Sequence, residues 1–75
     1  MRLFGGENNL FEIGDRVQIA SQIWDYDQVE YITGLTGNVS LTGLPAEMVA
    51  VLLDDGRQFL CLPQELDFYI DAPMV

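Results

Sequence analysis

The 75-residue chain carries twelve Asp and Glu against three Arg, has no Lys and no His, and has a net charge of −9. That balance excludes a phosphate-backbone binder and disfavours an anionic membrane surface, since both need cationic contacts. One Cys allows no internal disulfide and no His–Cys zinc site exists, so a chain that buries only about 60% of its unfolded surface must rely on packing or on association.

A hydrophobic fraction of 49% supports a packed core. The expected organisation is an N-terminal arm over 1–10, one barrel over 11–71 and a tail over 72–75. Met1–Phe4 is a short apolar patch, and the "GGENN" of Gly5–Asn9 reads as a loop. "FEIGDRVQIAS" gives a turn at Gly14-Asp15 and a strand over Arg16–Ala20, with Val17 and Ile19 on one face and Arg16 and Gln18 on the other. Ser21–Gly34 is a long loop containing "IWDYDQVEY". Its expected arrangement tucks Ile23, Trp24 and Val29 onto the core and turns Asp25, Tyr26, Asp27, Glu30 and Tyr31 outward, where Tyr and carboxylates suit an arginine-bearing partner.

Gly34 and Gly37 lead into a strand near Asn38–Leu41, with Val39 and Leu41 inward and Asn38 and Ser40 outward. Gly43 and Pro45 mark a turn over Thr42–Glu47. "MVAVLLDDGRQFLCLP" is a hairpin: two β-rich runs, Met48–Leu53 and Gln58–Leu62, flank an Asp-Gly turn in which Gly supplies positive φ. Pro63–Glu65 reads as a helical turn. A last strand, Leu66–Ile70, places Leu66, Phe68 and Ile70 inward and Asp67 and Tyr69 outward. The fold class is therefore all-β: five short strands in a small bent barrel, a long loop after the first strand and a helical turn before the last.

The succession "IGDRVQIAS", "GLTGNV" and "VAVLLDDGRQFLCLPQEL" resembles the SH3-like barrels of the electron-transport accessory group. The likeness covers about Phe11–Ile70 and is nearest to the variable chain of ferredoxin–thioredoxin reductase, with a weaker likeness to type II dihydrofolate reductase. The first implies a non-catalytic accessory subunit. The second would require a four-fold pore lined by Gln58 of "RQFL" and Lys for cofactor phosphates, but Leu60 stands at the Tyr position and the chain has no Lys. "WDYD" echoes the Tyr-Asp-Tyr loop of signalling domains but follows the Gly-Asp step instead of preceding it, so Pro-rich peptide binding is not carried over.

One pattern exceeds what a small barrel needs. On the hairpin, Val49, Val51 and Leu53 share one face and Met48, Ala50 and Leu52 the other, while Phe59 and Cys61 alternate with Leu60 and Leu62. Both faces are apolar, as in strands covered on both sides. Met48, Leu52, Leu60 and Leu62 therefore call for a cover: the chain's own ends, a second copy, or another protein. Burying one such Leu is worth ~1.5–3 kcal/mol.

Catalytic chemistry is sparse. Cys61 lies mid-strand among apolar residues with no basic neighbour, and Ser21 and Ser40 have no base nearby. Asp25, Asp27 and Glu30 fail the spacing of a calcium loop, and no phosphate loop is present. The expectation is no enzyme, no cofactor, no metal, and a protein partner or homo-oligomer. The alternative is an acidic decoy for a nucleic-acid-binding protein. No apolar run reaches the ~18 residues that span a membrane, "MRLFGG" is no signal peptide, and an unpaired Cys suits a reducing, cytoplasmic setting.

Overall fold

The computed structural model describes residues 11–70. The arm and the tail expected at 1–10 and 72–75 lie outside these residues. Seven strands run in the order β1 (Arg16–Ile19), β2 (Trp24–Asp25), β3 (Glu30–Tyr31), β4 (Thr36–Leu41), β5 (Val49–Leu53), β6 (Gln58–Cys61) and β7 (Leu66–Phe68). Single 3-10 turns at Pro45–Glu47 and Pro63–Glu65 are the helical segments among them, and no helix there is long and apolar enough to cross a membrane. The described chain is thus mostly β, and its five main strands form one antiparallel sheet in the order β6-β5-β4-β1-β7, beside a two-stranded β2–β3 ribbon.

Local chemistry explains the connections. In the first turn, Asp15 Oδ2 accepts the Glu12 N–H at 2.8 Å and Gly14 takes φ +98°. The β5–β6 hairpin closes over Asp54–Gly56, with the Leu53 N–H donating to the Arg57 carbonyl at 2.7 Å and Gly56 at φ +100°. At the second 3-10 turn, Pro63 begins the turn and Glu65 Oε1 accepts the Leu62 N–H at 2.8 Å.

The core forms where the inward parity of each strand converges. Val17 and Ile19 of β1, Val39 of β4, Val49, Val51 and Leu53 of β5, Cys61 of β6 and Leu66 of β7 are buried, together with Phe11 and Ile32. The hairpin parity read from the sequence holds, and Phe59 packs against this cluster.

Three inward assignments do not hold. Leu41 is 47% exposed, because the β4–β5 register shifts between Val39 and Leu41. Ser40 is the extra residue of a bulge, which sets Leu41 opposite Ala50 on the outer face. In β7 only Leu66 is buried; Phe68 and Ile70 are exposed. The strand pairs with β1 for three residues, so it leaves the sheet before Ile70, and Phe68 ends over the Phe11 ring at 4.6 Å. Tyr69, expected to face outward, is half-buried with the Arg16 guanidinium 5.7 Å from its ring centroid.

Candidate interaction surfaces

The first surface is the outer face of β4–β5–β6. Register aligns Leu41 with Ala50 and Ala50 with Leu60, one row across three strands. The next row is Asn38, Leu52 and Gln58. Leu52 is 44% and Leu60 58% exposed; Met48 and Leu62, at the strand ends, are half-buried, and Ala50 is buried. Gln58 lies on this face and donates to Ser40 Oγ at 3.1 Å, while Ser40 Oγ donates to the Ala50 carbonyl at 3.2 Å. Gln58 and Ser40 thus bond within the sheet, Asn38 Oδ1 accepts from the Arg16 guanidinium at 3.0 Å, and the leucines are left to solvent.

The second surface is the β2–β3 ribbon. Its two cross-strand pairs are Trp24 with Tyr31 and Asp25 with Glu30. Alternation puts the aromatic pair on one face and the carboxylate pair on the other. Trp24 and Tyr31 meet edge to face, centroids 4.9 Å apart, and are 37% and 54% exposed. Tyr26 at the tip is exposed, as are Asp27 and Glu30.

The ribbon therefore sits the opposite way up from the expected arrangement. Asp25, expected outward, is buried, and Trp24 and Val29, expected on the core, are exposed; of the three apolar residues only Ile23 packs inward. The cause is Arg57, on the β5–β6 turn. Its guanidinium lies 2.7 Å from Asp25, 3.0 Å from Glu30 and 2.6 Å from Asp55. Asp25 Oδ1 also accepts the N–H groups of Asp27 and Gln28, at 2.8 and 3.2 Å. A carboxylate with a cation and two amide donors can be buried, and burying it leaves its strand neighbour Trp24 on the outside.

Arg57 was legible in the sequence only as part of a turn. The available signal was scarcity: an acidic chain with two cations in this segment, Arg16 and Arg57, ties each to a carboxylate. Arg16 holds Asp54 at 2.7 Å, and Thr36 Oγ1 donates to the same carboxylate at 2.6 Å. A shallow groove beside the Arg57 cluster is lined by Asp25, Asp27, Gln28, Arg57, Gln58 and Phe59. Among the described residues, no group of three or more His, Cys, Asp or Glu is arranged to hold a metal ion.

Electrostatics follow the contacts. The hydrogen bond from Arg16, then that from Thr36, lowers the Asp54 carboxyl from 3.8 to about 2. Hydrogen bonds from Arg57 hold Asp25 and Asp55 below the ordinary value, in Asp25 against the opposing effect of burial. Burial first, and the Glu65 charge second, push the Cys61 thiol up from 9.0 to about 11, so it stays protonated and unreactive at neutral pH. A carboxyl whose folded pKa lies below its unfolded one favours folding when ionised. That contribution is complete above about pH 4 and is lost as pH falls through the folded values. The urea midpoint is therefore expected to drop between about pH 4 and about pH 2, with Arg16→Gln removing the Asp54 share; a midpoint level down to about pH 2.5 would contradict this.

The ribbon tip is strained. Val29 adopts φ +55°, a left-handed conformation that β-branched residues resist. Val29→Asn is expected to raise stability by about 0.5–1 kcal/mol in thermal unfolding without moving the Trp24 emission maximum.

No protein-family model, curated protein or solved structure shows a significant match to this chain.

Proposed function

We propose that the chain is an SH3-like barrel, similar to the electron-transport accessory group, that works as a cytoplasmic, non-catalytic protein-interaction or accessory subunit. The antiparallel order β6-β5-β4-β1-β7, with a long excursion between β1 and β4 and a 3-10 turn before the last strand, supports the fold reading. The observation that carries the function is the exposed row on β4–β5–β6: Leu41, Leu52 and Leu60 lie in solvent on a sheet whose other face already fills the core. A protein of marginal stability retains such a surface where another protein covers it.

Size-exclusion of native host extract, and of the purified chain at about 500 µM, tests this. The chain is expected to run above 8.4 kDa in at least one of the two, and Leu52→Glu/Leu60→Glu to return it to that mass with an unchanged circular dichroism spectrum. A wild-type chain that elutes as an 8.4-kDa monomer under both conditions overturns the reading.

A further inference from the structure

We propose that the partner at this face is a second copy of the chain, with Leu41, Leu52 and Leu60 meeting the same residues across a two-fold axis. The inference rests on the docking reading above and adds the occupant. Its basis is charge. The chain carries −9, yet the outer positions of β4–β5–β6 hold no ionisable residue: Thr36, Asn38, Ser40 and Gln58 are the polar members, and Leu41, Ala50, Leu52 and Leu60 are apolar. Of the described cations, Arg57 is held among Asp25, Glu30 and Asp55, and Arg16, next to Asn38 at the β1 edge of the second row, is neutralised by Asp54.

A basic partner gains nothing from a face without carboxylates, because its Lys and Arg would lose hydration and find no counter-charge. Two copies of an acidic chain face the opposite constraint: they can approach only through a surface that buries no carboxylate against a carboxylate. The neutral leucine face meets that constraint, and a two-fold contact uses the same patch on both copies. Three exposed leucines make a contact well below the ~800 Å² per partner of a standard interface, so the dimer is weak, with Kd on the order of tens of micromolar. Screening of the −9 charges makes it tighten as salt rises, whereas a contact built on ion pairs loosens.

Sedimentation equilibrium of the purified full chain over about 1–500 µM reads this directly. The mass is expected to move from 8.4 kDa towards twice that value, at lower concentration in high salt. Leu60→Glu should weaken the association more than tenfold at an unchanged dilute-solution melting temperature, Leu60→Gln less so, and Asp27→Asn not at all. A wild-type chain that stays at 8.4 kDa throughout overturns the inference, as does association that Leu60→Glu and Leu60→Gln leave in place. A purified monomer that is still part of a larger species in host extract overturns the second-copy assignment and leaves the docking reading standing.

Discussion

Gly37→Ala is expected to cost about 3 kcal/mol or more and to leave the chain largely unfolded at 37 °C. Gly37 is buried at the centre of the sheet, paired with Val17 of β1 on one side and Leu53 of β5 on the other. A Cβ there would overlap the Leu52 carbonyl oxygen and stand 2.7 Å from the Leu53 Cα and 2.9 Å from the Leu52 carbonyl carbon. These are backbone atoms of a paired strand, so no rotamer change relieves the clash. The β4–β5 ladder must part, and the core beneath it with it. Urea unfolding followed by circular dichroism measures the loss; a cost under about 1 kcal/mol would mean that β4 and β5 are not this close.

The second large effect separates two adjacent leucines. Leu53 is 2% exposed and part of the core cluster; Leu52 is 44% exposed on the opposite face. Leu53→Ala should cost about 2–5 kcal/mol through lost burial and the cavity left behind. Leu52→Ala, measured where the chain is monomeric, should stay within about 0.5 kcal/mol of wild type. At high concentration the order of interest changes, because Leu52 then carries association and Leu53 does not. Equal costs at both positions in dilute solution would contradict the parity of β5.

Much of the sheet was legible because its signals are local. The Asp-Gly step marked the β5–β6 turn, alternation in "RVQI" and "VAVLL" named the buried set, and Pro63 announced the 3-10 turn. The errors lie where the deciding contact is remote or adds a residue. The Ser40 bulge rotates Leu41 outward through one extra residue that alternation cannot register. In the ribbon, residue type put Trp24 and Asp25 on opposite sides of what read as a loop, but the inward side was set by Arg57, 32 positions from Asp25. Hydrophobicity argued for Trp24 inside. A carboxylate with a guanidinium and two amide donors reversed the assignment, and the aromatic pair became a surface feature.

That reversal sets the Trp24–Tyr31 pair beside the leucine row among the exposed apolar residues, and association is assigned to the leucine row. The direct test is an isotope-filtered NOE experiment on a mixture of labelled and unlabelled chain at high concentration. Intermolecular NOEs are expected onto the methyl groups of Leu41, Leu52 and Leu60. Intermolecular NOEs confined to Trp24, Tyr26 and Tyr31, or none at all under those conditions, would contradict that assignment.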